Sequence, residues 1–247
     1  MVRMGAGSVN AKPCYPATFS PVPGSAASRA WTPGAMRVHS GLDRVLERAD
    51  SLLRAATRTG ARQQRPTPGQ ELPEPALDNA ARRKAAGLMR VNHAGEVCAQ
   101  ALYVSQAALA RDEDKREALL QAAREEGDHL YWCEQRLAEL HSHTSRLDPL
   151  WFVGSCTIGM VAAAVGDRWS LGFVEETERQ VVAHLEGHLG RLPEQDLRSR
   201  AIVAMMRDDE QRHADDAQLR GAAPLPAAVR QAMGWTARVM TTVSYWV

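Results

Sequence analysis

The chain has 247 residues, 45% hydrophobic and 24% charged, with a net charge of +1. That composition excludes a wholly disordered or collagen-like chain, and 5% aromatics argue against an aromatic-rich β protein. Residues 1–75 carry ten Lys/Arg against five Asp/Glu and nine of the 13 prolines, whereas the rest carries 20 against 24. A slightly acidic body has no electrostatic footprint for nucleic acid, so none is expected as a partner. Cys14, Cys98, Cys133 and Cys156 show no C-x-x-C spacing. They read as reduced thiols, not as a disulfide frame or a zinc site.

Residues 1–40 hold five prolines, no periodic pattern and no apolar run of the signal-peptide kind. They are expected to form a disordered leader. In residues 41–76, Leu42, Val45, Leu46, Ala49, Leu52 and Leu53 recur at helical spacing, followed by a Pro/Gln/Gly linker from residue 60. The short basic helix is expected to pack on the body, with a membrane surface as the alternative. Residues 77–247 form the third region. Helices are expected over 79–111, 114–142, about 150–165, 170–191, 195–220 and 226–245. Breaks fall at Asp112, at Asp148-Pro149, at Leu192-Pro193, and at Gly221 with Pro224 and Pro226. No run alternates with period two, so the predicted class is an all-α helical bundle.

Residues 149–165 make the most apolar window, closed by Asp167 and Arg168. It is short for a membrane span, which needs about 20 residues. A buried core helix and a helix lying in a membrane interface both fit. The Trp151, Phe152 and Trp169 flanks suit the second.

The chemistry lies in two Glu-x-x-His pairs, Glu126/His129 and Glu210/His213. Residues three apart share a helix face, so each pair can address one metal ion. One such pair alone carries little weight. Their placement carries more: Leu119, Ala122, Glu126, His129, Cys133, Leu137 and Leu140 follow one stripe, and Ile202, Met206, Glu210, His213 and Ala217 another. A buried carboxylate costs several kcal/mol unless it is paired or bound to a metal. Glu96 interrupts a third stripe (Leu88, Asn92, Ala99, Tyr103), and Glu178 a fourth (Val174, Val181, Leu185, Leu192). Glu96 precedes Glu126 by 30 residues, and Glu178 precedes Glu210 by 32. The chain thus contains two helical hairpins, each with a lone Glu and then a Glu-x-x-His. Folded about a pseudo-twofold axis, they bring four Glu and two His to one centre, the carboxylate di-metal pattern of ferritin-like bundles. Four carboxylates and two neutral imidazoles match two divalent cations, and the oxygen-rich donor set favours iron or manganese.

The runs RVNHAGEVCAQALY (Arg90–Tyr103), EEGDHLYWCEQRLAEL (Glu125–Leu140), GDRWSLGFVEETERQVVAHL (Gly166–Leu185) and SRAIVAMMRDDEQRH (Ser199–His213) resemble the bacterial flavin-free demethoxyubiquinone hydroxylases. The resemblance covers roughly residues 79–247. It implies a ferritin-like four-helix bundle with extra apolar helices, and a di-iron monooxygenase of ubiquinone biosynthesis. It also implies a peripheral place on the cytoplasmic face of the bacterial inner membrane. The family's ligand pattern falls on Glu96, Glu126, His129, Glu178, Glu210 and His213. The implied reaction is O2-dependent ring hydroxylation of a polyprenyl demethoxyubiquinol, with electrons from NADH or a reduced quinone. No glycine-rich nucleotide loop is present to bind NADH in a Rossmann domain. A homo-oligomer or other ubiquinone-biosynthesis proteins remain open as partners.

His184 resembles a histidine of that family that hydrogen-bonds a ligand carboxylate, with ordinary core polarity as the alternative. His93 reads as structural or as a support to a ligand. His141, His143 and His188 read as solvated, Cys133 as packing, and Glu175 and Glu176 as rivals to Glu178. The competing functions are another ferritin-like di-metal oxidase or peroxidase and a non-catalytic helical membrane module. For membrane contact, the expected surface comprises Leu150, Trp151, Phe152, Val153, Ile158 and Met160. Val239, Met240, Val243 and Trp246 extend it.

Overall fold

The computed structural model describes residues 43, 46–50, 54, 63–74 and 76–247. The leader, 1–40, lies outside the described residues. So do Leu42, Val45, Leu52 and Leu53 of the proposed amphipathic helix. Residues 46–50 are helical, with Leu46 58% exposed and Glu47 and Arg48 close enough to Arg116 and Glu113 of the first bundle hairpin to act on their charges.

Six long helices follow: α1 (Asn79–Leu109), α2 (Glu113–Glu139), α3 (Asp148–Val165), α4 (Asp167–Arg191), α5 (Leu197–Leu219) and α6 (Ala227–Ser244). Among the described residues there is no strand. The all-α expectation holds, with every helix boundary within three residues of its predicted place. Aspartates start three of the helices. Asp78 accepts from the Ala81 amide, Asp112 from those of Asp114 and Lys115, and Asp196 from that of Ser199. The expected break at Asp148-Pro149 is instead the first turn of α3. Proline is tolerated there because its missing N–H would have no helical partner. The loop lies before it.

Helices α1, α2, α4 and α5 form the bundle, with α1 packed along α2 and α4 along α5. Two apolar cores fill it. One gathers Leu88 and Met89 of α1, Trp132 and Leu137 of α2, Leu185 of α4, and Ile202 and Met206 of α5. The other gathers Tyr103, Leu119, Val174 and Ala217 from the same four helices. Between them along each helix lie the charged residues Glu96, Glu126, His129, Glu178, Glu210 and His213.

Helix α3 is an outer layer on α1. Ser155, Gly159 and Ala163 face inward, and a Cβ on Gly159 would fall 2.1 Å from Ser105 Oγ and 3.0 Å from the Leu102 carbonyl. Only glycine permits that approach. The large apolar residues of α3 point outward, so the buried-core reading of this helix does not hold. It is the one described helix long and apolar enough to cross a membrane, by length and composition. Asp167 and Arg168 do not end a segment; they begin α4 after a one-residue joint at Gly166, where φ is +129°. The α5–α6 loop then crosses α4, with the Ala223 amide donating to the Arg168 carbonyl at 2.8 Å.

Candidate metal centre

The structure brings all six predicted residues together. One donor atom each from Glu96, Glu126, His129 and Glu210 lie within 4.8 Å of one another, as do donors from Glu126, Glu178, Glu210 and His213. Glu126 and Glu210 belong to both groups, Glu96 only to the first and Glu178 only to the second. The side chains of Glu96, Glu126, His129, Glu178 and Glu210 are almost fully buried, and that of His213 is 9% exposed.

Each histidine turns Nδ1 into this cluster. His129 Nδ1 lies 3.1 Å from Glu210, 3.2 Å from Glu126 and 3.4 Å from Glu96. His213 Nδ1 lies 3.1 Å from Glu210 and 3.4 Å from Glu126. One ring nitrogen can donate to only one acceptor, yet three carboxylates converge on His129 Nδ1. The opposite nitrogens have acidic partners of their own. His129 Nε2 meets Asp209 at 2.9 Å, and His213 Nε2 meets Glu125 at 3.0 Å. An acidic partner keeps one ring proton on Nε2, so a cation entering the cluster would displace only the Nδ1 proton and find that nitrogen aimed at it.

Such a convergence of lone pairs fits cations. Buried oxygens of Glu126, Glu178 and Glu210 have no hydrogen-bond partner, which an ion would supply. Burial, reinforced by the charge of Glu126, pushes the Glu96 carboxyl well above its ordinary range. Burial and the charge of Glu210 do the same to Glu178. Burial would also raise Glu210, but hydrogen bonds from His129 and His213 more than offset it and hold that carboxyl low. Tyr103 donates its hydroxyl to Glu178 and secures that carboxylate from α1. Six donors, four anionic, suit two divalent ions with an oxygen-rich shell.

The other sequence candidates lie elsewhere. Glu175 binds Arg179 and Glu176 binds Gln180, so neither enters the cluster. His93 sits 3.3 Å from Glu134 and 3.2 Å from Asp148, tying α1 to α2 and to the start of α3. Cys133 is buried, with its sulfur 3.9 Å from that of Met206. The His184 ring lies against His188 with centroids 3.9 Å apart and a 58° tilt, and its buried Nε2 has no hydrogen-bond partner, so it does not hold a cluster carboxylate as the resemblance implied. His188 is not solvated as expected: it is buried, and Asn92 Oδ1 lies 2.7 Å from its Nδ1. It fills the stripe between Leu185 and Leu192, three and four residues away, which the sequence already displayed.

Sequence reasoning missed Glu125, Asp209, Arg212 and Arg65. Arg212 bridges the two histidine-holding acids, donating to Asp209 at 2.7 Å and to Glu125 at 2.9 Å. The available signal was an acid immediately before each ligand-type glutamate: Glu125-Glu126 and Asp209-Glu210.

A cavity of about 190 Å³ reaches the His213 side of the cluster. Tyr103, Leu119, Ala122, Leu171 and Val174 give it apolar walls, and Arg212 and Arg220 stand among the polar residues lining it. Nearby, Trp169 and Phe173 on the same first turns of α4 line an apolar groove of about 470 Å³, with Ile158, Val161 and Val165 of α3 and Val229 of α6.

Residues 83–244 match the family of the ubiquinone biosynthesis protein COQ7. The chain belongs to that family. A 3-demethoxyubiquinol 3-hydroxylase of Verminephrobacter eiseniae is 57% identical over 209 residues, 84% of this chain and 100% of the relative. The protein of that name from Nitrosomonas europaea is 53% identical over 206 residues, 83% of this chain and 99% of its own. That of Xanthomonas euvesicatoria is 52% identical over 209 residues, 85% and 96% respectively. This COQ7-family chain therefore aligns with nearly the whole length of hydroxylases acting in ubiquinone biosynthesis.

Proposed function

We propose that the protein is a 3-demethoxyubiquinol 3-hydroxylase that converts the polyprenyl-6-methoxy-3-methyl-1,4-benzoquinol to the demethylubiquinol. The observation that carries this reading is the buried cluster with two shared carboxylates, beside a cavity with apolar walls. Glu96, Glu126 and His129 would hold one iron and Glu178, Glu210 and His213 the other, with Glu126 and Glu210 shared. Bound there, two iron ions supply the activation of O2, one atom of which enters the ring while the other leaves as water. The two electrons come from NADH or a reduced quinone.

The chain's own residues set the conditions. Four carboxylates neutralise two divalent ions without a net charge to solvate. Asp209 and Glu125 keep the Nε2 protons in place, so both Nδ1 atoms stay available. Tyr103 holds Glu178 and also lines the cavity, where Leu171 and Val174 exclude water from the ring's path. The cavity is lined by Leu171 and Val174 and the apolar groove by Trp169 and Phe173 of the same turns of α4, and the groove is the seat we assign to the polyprenyl tail. In this reading the protein sits peripherally on the cytoplasmic face of the membrane, and the apolar groove and the outward face of α3 support the membrane contact.

The test is quinone extraction from cells lacking the protein. Accumulated demethoxyubiquinone, cleared by the wild-type chain and not by Glu178→Ala, is the expected result. Normal ubiquinone without that precursor would overturn the assignment.

A further inference from the structure

We propose that Arg65, on a segment before the bundle, is a positioning residue for the metal centre, acting on His129 through Asp209. This rests on the reading of the cluster as a metal site. Residues 63–74 carry no helix; they precede residues 83–244, which match the family model, but lie within the stretch that aligns with the hydroxylase of Verminephrobacter eiseniae. They form a strap tied to α2 and α5. Thr67 donates to Gln135 at 2.6 Å. Arg198 donates to the Leu72 carbonyl at 2.8 Å, and Glu74 pairs with Arg136 and Arg198. At Gly69 φ is +71°, and an added Cβ would fall 2.8 Å from that of Ala201, so the backbone lies directly on α5.

Arg65 is the strap's inward-reaching end. Its Nε donates to Asp128 at 3.0 Å, and its Nη1 to Asp209 Oδ2 at 2.7 Å. The Gln64 amide adds a bond to Asp128 at 2.7 Å. The guanidinium lies 4.8 Å over the Trp132 ring, and that indole stands 5.2 Å from the His129 imidazole. Asp209 Oδ2, the oxygen that Arg65 holds, is also the one that meets His129 Nε2. Its Oδ1 is held by Arg212. Two guanidiniums therefore fix both oxygens of a buried carboxylate, and with it the plane of the His129 ring.

Arg65 Nη2 lies 3.4 Å from His129 Nε2. Guanidinium has no acceptor, so with the proton on Nε2 this is contact and not a bond. The bond runs through Asp209. Without Arg65, Asp209 can turn toward Arg212, and Asp128 loses its charge partner on the strap. The ring of His129 is then free to rock about the geometry that points Nδ1 inward.

The experiment measures Fe²⁺ affinity by chelator competition, and the visible spectrum of the Co²⁺-loaded full-length protein, whose bands report the ligand geometry. Arg65→Ala is expected to weaken binding about 10- to 100-fold, the usual range for such supporting partners, and to shift the Co²⁺ bands. Arg65→Lys should restore part of the affinity, since an ammonium can reach one acid but not span two. Arg198→Ala loosens the far end of the strap and should leave the bands unmoved. Asp209→Asn with Arg65→Ala should be no worse than Asp209→Asn alone, because both act along one path. Wild-type affinity and bands in Arg65→Ala, or an equal loss in Arg198→Ala, would overturn the role of Arg65 while leaving the metal site intact. Wild-type protein that binds no divalent ion would overturn the metal reading, and Arg65's role with it.

Discussion

Asp209 accepts the Nε2 proton of His129 across the bundle, from the helix that carries the other Glu-x-x-His pair. Glu125 does the same for His213 in the opposite direction. Each pair thus brings its own glutamate into the cluster and steadies the histidine of its counterpart. Neither α2 nor α5 can move without misaligning a donor on both. The two are not equally secured. Asp209 is nearly fully buried and is gripped by Arg65 and Arg212, whereas Glu125 remains about a quarter exposed. The hydrogen bond from His213 still holds the Glu125 carboxyl down to about 2. Asp209→Asn should therefore cost more metal affinity than Glu125→Gln. About 10- to 100-fold is expected at Asp209, and less at Glu125. Titration of both variants with Fe²⁺ checks the order, and equal losses would remove the asymmetry.

Removing a cluster carboxylate should separate metal binding from folding. Glu126→Ala and Glu178→Ala are expected to lose bound iron and hydroxylation while keeping their helix content. Glu175→Ala, whose partner is Arg179 outside the cluster, should retain both. Glu178→Gln makes a sharper test. In the metal-free protein it should raise Tm, since it removes a carboxyl that burial disfavours as an anion. With Fe²⁺ present the order should reverse, because an ion that binds only the folded wild type stabilises it. Iron analysis, circular dichroism and two melting curves decide it. Unchanged iron stoichiometry in Glu178→Ala would take that residue out of the ligand set.

The six cluster residues were legible because each interrupts an apolar stripe, and such interruptions need a physical reason. The 30- and 32-residue spacings then paired them. The helices were legible for the same reason, with aspartates marking three of their starts. The strap was not. A segment with Pro66, Pro68, Gly69 and Pro73 has no period to read, and Arg65 meets Asp209 only across 144 residues of chain. The linker composition looks the same whether the segment is solvated or docked. The outward turn of α3 was equally hidden: Gly159 and Ala163 face α1, but small residues mark a close approach only once a neighbour is known.

His184 and His188 predict an acid-sensitive fold. Burial lowers His184 to about 4; burial, with repulsion from His184, lowers His188 to about 3. In the unfolded chain both titrate near 6.5. The fold favours their neutral forms, so this stabilisation is complete above about pH 6.5 and is lost as pH falls toward 4 and then 3. Unfolding near pH 5 should take up about two protons at these sites. The Tm of wild type should fall more steeply between pH 7 and 5 than that of a His184→Gln/His188→Gln variant. Parallel curves would assign the acid sensitivity elsewhere.

Membrane attachment should depend on the outward face of α3, including Leu150 and Val153 of the expected surface but not Trp151 and Phe152. Trp151 is half-buried and donates its indole N–H to Ser244 at 3.0 Å, which ties α3 to the end of α6. Phe152 is also half-buried. Charging either would disturb packing, and loss of binding would then be ambiguous. Leu150, Val153 and Val161 are each at least 60% exposed, and Trp235, Val239 and Trp246 of the C-terminal region are exposed as well. An exposed apolar face of this kind marks a surface that contacts a partner or a lipid phase. Inserted at the lipid interface, it would set the groove beside Trp169 and Phe173 against the acyl region, where a polyprenyl tail already resides. Val153→Glu with Val161→Glu is therefore expected to abolish flotation with anionic liposomes while leaving Tm and iron content unchanged. Hydroxylation of a long-tailed quinol should fall severalfold more than that of a short-tailed analogue, which reaches the centre from water. Were α3 instead covered by another protein, flotation would persist and both substrates would be turned over alike, and the membrane assignment would fall.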